Sequence, residues 1–360
     1  MFREMSNFVS GIFKKRSALK QAQQVASRNY VYVTNQGSNS ISQYAIAAHG
    51  GLIPLPVPKI AAGTTPVFIA VSPSAKFAYV ANQGGNSVSQ YRINDDGMLA
   101  AIGKPVAAGT SPVDISIDPS GRFAYVANSS SNDLSQYLIG EDGMLCPMSP
   151  ATIDTGLIPV AVSVAPSGKH LYVVNNSGND ISQYTITDNG NLMPMTPAKI
   201  ATGAAPRSIA IHPSGKYAYV VNRGGGDVMH YAIDSSGSLA PLATPVAAGK
   251  HPFSICISPS GKFAYVTNQN GNSVSQYEVS DNGLLAALKK AAVESQVTPV
   301  CVAVARSGQY AYVTNISSND VSQYAIDEQG CLSAIPVNKW GDSTVSAEVS
   351  PRCVMAVSIS

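Results

Sequence analysis

The stretch Tyr32-Val33-Thr34-Asn35 sets the architecture, because the pattern Tyr-Val-x-Asn returns seven times along the 360-residue chain. Its asparagines stand at positions 35, 82, 128, 175, 222, 268 and 315, so successive copies lie 46 or 47 residues apart. A fixed period of this length, with several short strand-like segments per copy, is typical of a β-propeller built of four-stranded blades. The sequence therefore predicts an all-β, seven-bladed β-propeller with four antiparallel strands per blade.

One repeat shows how the period becomes a blade. The alternating segment 66–71 predicts an inner strand, and 77–82, which ends in the motif asparagine, predicts a second strand rich in aromatic and β-branched residues. Segments 87–93 and 98–108 predict the third and outer strands. The turns between them are rich in Gly, Pro, Asn and Asp, as tight turns require.

The repeats predict one propeller domain over residues 29–360, preceded by a separate leader at 1–28. The first copy begins at its second strand and lacks an inner strand. Residues 344–351 align with the inner-strand entry of the second copy, so a C-terminal strand in blade one is expected to close the ring and remove two sheet edges. Residues 352–360 resemble a further second strand and have no place in this alignment.

The leader and the ring differ in net charge. Residues 1–28 carry six Lys or Arg and one Glu, which leaves 17 basic and 20 acidic residues for the ring. A slightly acidic ring does not attract nucleic acid, so no nucleic-acid partner is expected. No apolar run approaches the roughly 20 residues that a membrane-spanning helix needs, and we expect no transmembrane segment.

The leader itself has two interpretations. Its apolar residues recur at three- and four-residue spacing before a basic cluster at 14–20, which predicts a basic amphipathic helix. This helix either packs on the ring or frays, or it makes weak contact with a membrane surface. The order of apolar and basic residues is the reverse of a secretory signal. A cytoplasmic location is expected, with export by a route lacking a cleavable signal peptide as the alternative.

The five cysteines form no Cys-x-x-Cys pair. They stand at positions 146, 256, 301, 331 and 353. An odd number of thiols without metal-ligand spacing indicates small buried residues instead of a disulfide framework or a metal site. We expect neither metal nor cofactor.

Functional residues are expected where one blade departs from its siblings, above all on the inner strands that line a propeller's channel. One position on these strands is apolar in every copy and is predicted to be buried: Ile69, Ile115, Val162, Ile209, Ile255, Val302 and Ala347. The alternating positions should face the channel. Most hold Ala, Ser or Cys, and four hold ionisable groups, namely Asp114, Asp118, His212 and Glu348.

A second set of departures gathers at blades five and six. Arg207 replaces a valine of the inner strand, Arg223 follows the motif asparagine, and Lys250 and His251 precede the inner strand of blade six. Loops that enter the first strand and loops that leave the second lie on the same face of a propeller. These groups therefore predict a basic mouth for a carboxylate or phosphate; the alternative is scattered, solvated charges on loops.

The stretch 203–223, Gly-Ala-Ala-Pro-Arg-Ser-Ile-Ala-Ile-His-Pro-Ser-Gly-Lys-Tyr-Ala-Tyr-Val-Val-Asn-Arg, resembles the lactonase family of seven-bladed propellers. That family includes 6-phosphogluconolactonase and the carboxymuconate-lactonizing enzymes. Arg207, His212 and Asn222 match the pattern of its catalytic members. Ser208 and Arg223 stand where that pattern has His and Glu, and arginine does not exchange protons near neutral pH.

Three functions remain open at this point. The favoured one is a binding or interaction module that holds an anionic small molecule or a protein segment near blade five, through Arg207, Arg223, Lys250, His251, Asp114 and Glu348. The alternative is a lactone hydrolase of the 6-phosphogluconolactonase type with a rearranged site, in which catalysis would rest on His212, Arg207 and Asp118. The third is a structural repeat protein that resembles surface-layer components.

Overall fold

The computed structural model describes residues 28–336 and 343–359, which form 31 β-strands and no helix. The strands make seven antiparallel sheets of four or five strands. Each Tyr-Val-x-Asn copy is the second strand of one sheet, so the predicted seven-bladed propeller is confirmed. Residues 1–27, with the predicted amphipathic helix, lie outside the described residues. Nothing within the described residues is a helix that could cross a membrane.

Each blade runs from an inner strand at the channel to an outer strand at the rim. From blade one to blade seven, the inner strands are Pro351–Ser358, Pro66–Val71, Pro112–Ile117, Pro159–Val164, Pro206–Ile211, Pro252–Ile257 and Pro299–Val304. The second strands are Asn29–Asn35, Phe77–Asn82, Phe123–Asn128, His170–Asn175, Tyr217–Asn222, Phe263–Asn268 and Tyr310–Asn315.

The third strands, in the same order, are Ser40–Ile46, Ser87–Ile93, Asp133–Ile139, Asp180–Ile186, Asp227–Ile233, Ser273–Val279 and Asp320–Ile326. Blades one, three, four and six have continuous outer strands, Leu52–Ala61, Leu145–Asp154, Leu192–Ala201 and Leu285–Glu294. The outer strands of blades two, five and seven are split, into Leu99–Ala101 and Val106–Ala107, Leu239–Pro241 and Val246–Ala247, and Leu332–Ala334 and Thr344–Ser346.

A C-terminal strand closes the ring in blade one, as predicted, but it is not the predicted segment. Pro351–Ser358 pairs with the second strand of blade one, with Val354 opposite Val33. Thr344–Ser346 instead completes the outer strand of blade seven, with Val345 opposite Val321. The assignment of residues 344–351 to blade one was therefore wrong.

The error has a physical cause. In each repeat a proline starts the inner strand, and in blades two to six a second proline follows its end, as Pro66 and Pro73 do in blade two. Ser350-Pro351 was aligned with the terminating pair, whereas Pro351 is the proline that begins the strand. The split outer strand of blade seven also needed a last segment, which residues 344–346 provide.

The tyrosine and asparagine of the motif hold neighbouring blades and strands together. The Tyr32 hydroxyl donates to the Gly97 carbonyl of the next blade at 2.6 Å, and the same bond recurs at most joints of the ring. Within a blade, the Asn35 side-chain amide donates to Ser42 Oγ at 2.9 Å. Because buried polar groups need partners, these hydrogen bonds explain why the repeats keep the motif tyrosine and asparagine.

Candidate functional site

A cavity of about 330 Å³ opens at one end of the channel. The loops predicted to share this face do so, because the Arg223 N–H donates to the Ala205 carbonyl at 3.0 Å, and the Gln83 N–H donates to Thr65 at 2.9 Å. The charged residues that line the cavity are Asp114, Arg207, Arg223 and Arg352. Below them the channel continues between small and apolar inner-strand side chains.

Arg207 stands at the second position of the inner strand of blade five. Its Nη1 donates to the Val160 carbonyl of blade four at 3.2 Å, and its Cζ lies 4.3 Å from the ring centroid of Phe253 in blade six. Burial, with the neighbouring Arg352, lowers the pKa of Arg207 to about 9. Since that value is above 7, the guanidinium remains cationic at neutral pH.

Arg352 occupies the same position in the inner strand of blade one, and sequence reasoning missed it. Its Cζ lies 5.2 Å from the Phe253 ring centroid, so Arg207 and Arg352 approach one aromatic ring. Burial lowers the pKa of Arg352 as well. Pairing Pro351 with the other strand-starting prolines would have revealed this arginine, since Arg352 then aligns with Arg207.

Arg223 reaches the cavity from the loop that follows Asn222. Its Nη2 donates to Gln269 Oε1 at 3.1 Å, while its buried Nε has no hydrogen-bond partner among the described residues. An unpartnered buried donor costs free energy and is best satisfied by an acceptor from outside. Arg207, Arg223 and Arg352 are called the arginine cluster below.

Asp114 is the only acidic residue among the described residues that line this cavity. It is 7% exposed; its Oδ1 accepts the Ile115 N–H at 2.8 Å and its Oδ2 accepts the Val162 N–H of the next blade at 2.9 Å. Burial raises the pKa of Asp114 to about 7, against the lowering effect of these bonds and of Arg207. A carboxyl group with this pKa can give or take a proton near neutral pH.

Asp118 and His212 do not line this cavity. Both follow an inner strand and form the turn to the second strand: Asp118 Oδ1 accepts the Phe123 N–H at 2.7 Å, and His212 Nδ1 lies 2.7 Å from Ser214 Oγ. His212 follows Arg207 by five positions along an extended chain, a separation of roughly 16 Å. The expected combination of Arg207 with His212 or Asp118 in one site is therefore not brought together.

Glu348 was expected in the channel, and that expectation was wrong. It follows the outer strand of blade seven and pairs with Lys59 of blade one, with Nζ to Oε1 at 3.0 Å and side chains 57% and 35% exposed for Lys59 and Glu348. The cause is the misassigned closing strand. Lys250 and His251 are exposed on the loop that enters blade six and do not line the cavity.

The site thus differs in composition from the basic mouth expected from sequence. Arg207, Arg223 and Asp114 meet in it, as the inner-strand and loop positions suggested. Sequence reasoning missed Arg352, Phe253, Cys301 and Cys353, which also line the cavity. Among the described residues, no three His, Cys, Asp or Glu side chains are grouped closely enough to hold a metal ion.

Comparisons with known proteins agree with the architecture. The model of the family described as "Lactonase, 7-bladed beta-propeller" matches residues 56–348. A Bacteroides fragilis protein provisionally named a 6-phosphogluconolactonase superposes with a TM-score of 0.80 at 22% identity, over 91% of this chain and 98% of that one. A periplasmic gluconolactonase of Pseudomonas aeruginosa superposes with a TM-score of 0.79 at 21% identity, over 92% and 100%. No curated protein matches the chain significantly.

Proposed function

The chain belongs to the lactonase family of seven-bladed β-propellers, and from that premise we propose that it hydrolyses a lactone carrying a carboxylate or phosphate group. The observation that carries the proposal is the presence of the arginine cluster and Asp114 in one cavity. The binding module favoured by the sequence alone becomes the second candidate.

The arginine cluster supports an anionic substrate. Three guanidinium groups face a single carboxyl group, so the cavity has a net positive charge whether Asp114 is ionised or not. Arginine forms bidentate hydrogen bonds to carboxylate and phosphate oxygens. Among the described residues the Nε–H of Arg223 has no partner, so it offers one of the two donors for such a pair. A volume of about 330 Å³ suits a ligand the size of a sugar acid.

Asp114 supports hydrolysis because it can act as a general base in the same cavity. In the proposed step, ionised Asp114 takes a proton from water while the water oxygen attacks the lactone carbonyl carbon. A guanidinium of the arginine cluster stabilises the negative charge that develops on the carbonyl oxygen. The ring C–O bond then breaks, and the departing oxygen takes the proton from Asp114 to give a hydroxy acid.

This assignment differs from the one the family resemblance implied. The His and Glu of the resembling pattern are Ser208 and Arg223 here. In the proposed mechanism Asp114, on blade three, supplies the proton-transfer group. Arg223 and Arg352 add positive charge, which favours binding of the substrate anion. Neither arginine side chain transfers protons near neutral pH.

A specific observation keeps the binding module as second candidate. Both carboxylate oxygens of Asp114 already accept backbone N–H bonds: Oδ1 from Ile115 in its own strand, and Oδ2 from Val162, which joins blade three to blade four. A group committed to the scaffold in this way would leave the arginine cluster to bind an anion without turning it over. The two candidates share the anion site and differ in whether water attacks.

The substrate class is tested by comparing two lactones. Hydrolysis of 6-phosphogluconolactone and of uncharged gluconolactone is measured above the spontaneous rate, with 6-phosphogluconate as a competitor. We expect preference for the phosphorylated lactone, and Arg207→Ala or Arg223→Ala should each raise the inhibition constant of the competitor about tenfold or more. The surface variant Arg92→Ala is the control. Undiminished affinity in both cluster variants would refute the anion site.

A further inference from the structure

Two thiols meet where the chain closes into a ring. Cys301 lies on the inner strand of blade seven and Cys353 on the inner strand of blade one, and their Sγ atoms are 3.7 Å apart. Both line the cavity at the channel mouth. The two residues are 52 positions apart in sequence, so a bond between them would join the closing strand to blade seven.

The surroundings make the two sulfur atoms unequal. Cys301 Sγ accepts the Val354 N–H at 3.5 Å and lies within hydrogen-bonding distance of the Cys353 thiol. The hydrogen bond from Cys353, then that from Val354, lowers the pKa of the Cys301 thiol, although burial opposes it. Burial raises the pKa of Cys353, which is only 2% exposed. Cys301 is the sulfur better suited to react as a thiolate.

The acceptor position of Cys301 is part of a pattern around the ring. The same inner-strand position holds Asp114 in blade three and Ser208 in blade five, and each accepts a backbone N–H of the following blade, from Val162 at 2.9 Å and Ile255 at 3.4 Å. Cys301 makes the corresponding contact with Val354. The packing of the inner strands therefore holds the Cys301 sulfur beside the inner strand of blade one, in which Cys353 directly precedes Val354.

We propose that Cys301 and Cys353 form a reversible disulfide on exposure to peroxide, and that this bond locks the ring at its closure. The Cys301 thiolate attacks one peroxide oxygen, the O–O bond breaks, and the departing hydroxide takes a proton to give water. Cys301 is left as a sulfenic acid. The Cys353 sulfur then attacks the Cys301 sulfur, the S–O bond breaks, and the hydroxide leaves as water with the Cys353 proton. Two electrons pass from the thiols to each peroxide, and a dithiol reductant reverses the change.

Cys256 provides a matched control. It also lies on an inner strand and lines the channel, but its Sγ contacts the Ile257 carbonyl at 3.5 Å, and burial raises its pKa to about 11. A buried thiol with a raised pKa is a poor nucleophile. The proposal does not depend on lactone hydrolysis, because it concerns only the closure of the scaffold.

The test treats the purified full chain with stoichiometric hydrogen peroxide. The denatured protein should fall from five titratable thiols to three, with a mass decrease of about two units, and trypsin should release residues 291–306 linked to 353–360. The midpoint of thermal unfolding should rise by roughly 5 °C and return with dithiothreitol. Cys256→Ser should behave like the wild type.

Cys301→Ser and Cys353→Ser should lose both the linked peptide and the thermal shift. Peptide mapping of the wild type needs no variant, so the test survives if either substitution impairs folding. A linked peptide that includes Cys256, oxidation of Cys301 to sulfinic acid without cross-linking, or five unchanged thiols would each overturn the proposal.

Discussion

The guanidinium carbon of Arg207 lies 4.3 Å from the ring centroid of Phe253. Arg352 approaches the same ring at 5.2 Å. The ring belongs to blade six and the two arginines to blades five and one, so three inner strands meet through one aromatic side chain. The negative face of the ring offsets part of the repulsion between two like charges and holds them at the mouth.

Replacing Phe253 by leucine should therefore weaken anion binding without removing a charge. The loss of a cation–π contact of about 1 kcal/mol predicts a roughly fivefold higher dissociation constant for 6-phosphogluconate, measured by calorimetry. Phe68→Leu is the control, because Phe68 lines the same cavity from blade two. Equal losses in both variants would mean that the effect comes from cavity shape alone.

Asp114 predicts how hydrolysis depends on pH. Because burial raises the pKa of Asp114 to about 7, its base form grows as pH rises through that value. The rate above background, as kcat/KM, should increase from pH 5.5 to 8 with a midpoint near 7. A flat profile over this range would contradict a catalytic role for the carboxylate.

The raised pKa of Asp114 also predicts that the stability of the fold depends on pH. Folded Asp114 holds its proton more tightly than the unfolded chain does, so its contribution to stability is lost as pH rises from about 4 to 7. The unfolding midpoint of the wild type, compared with that of Asp114→Asn, should therefore fall on going from pH 5 to pH 8. A difference that stays constant with pH would argue against the raised pKa.

His230 marks a weak joint between blades five and six. Other blades have glutamine there, as Gln183 does when its Oε1 accepts the Leu239 N–H of the next blade at 2.8 Å. Among the residues that the structure describes, both buried ring nitrogens of His230 lack partners, as does the hydroxyl of Tyr219, whose ring centroid is 5.9 Å away. His230→Gln should raise the free energy of unfolding by about 1–2 kcal/mol, measured by urea denaturation at pH 7.5.

Lowering the pH should widen the difference in the free energy of unfolding between the wild type and His230→Gln. Burial lowers the pKa of His230, so protonation favours the unfolded chain, and the wild type should lose stability relative to His230→Gln as pH falls below the unfolded value of about 6.5. Gln183→His is the matched converse and should destabilise blade four in the same way. Equal stability of His230→Gln and wild type at pH 7.5 and 5.5 would show that His230 does not weaken the contact between blades five and six.

How far the sequence predicts the structure depends on what the repeats can show. The period and the motif predict the seven second strands, because the motif Tyr and Asn make hydrogen bonds that recur around the ring. Closure was misassigned because proline both begins and ends an inner strand, so Pro351 fitted two alignments. Arg352 was missed for that reason, and Glu348 was placed in the channel.

The site could be predicted only in part. Asp114, Arg207 and Arg223 stand out as departures from their repeats, and all three line the cavity. His212 also departs from its repeat, but it lies at the other end of its inner strand and makes turn contacts. A residue that differs from its counterparts in other repeats can be assigned to a position within its blade. The end of the channel at which that position lies depends on the length and register of the strand.

The role of Asp114 in lactone hydrolysis is best tested by single-turnover hydrolysis of 6-phosphogluconolactone by the wild type and by Asp114→Asn, with 6-phosphogluconate affinity measured on both. We expect the wild type to accelerate hydrolysis, the variant to lose this acceleration by about 100-fold or more, and the affinity for 6-phosphogluconate to stay within a few fold. Binding of the phosphorylated acid by the wild type without acceleration of any lactone would contradict the proposed hydrolysis and leave a binding module.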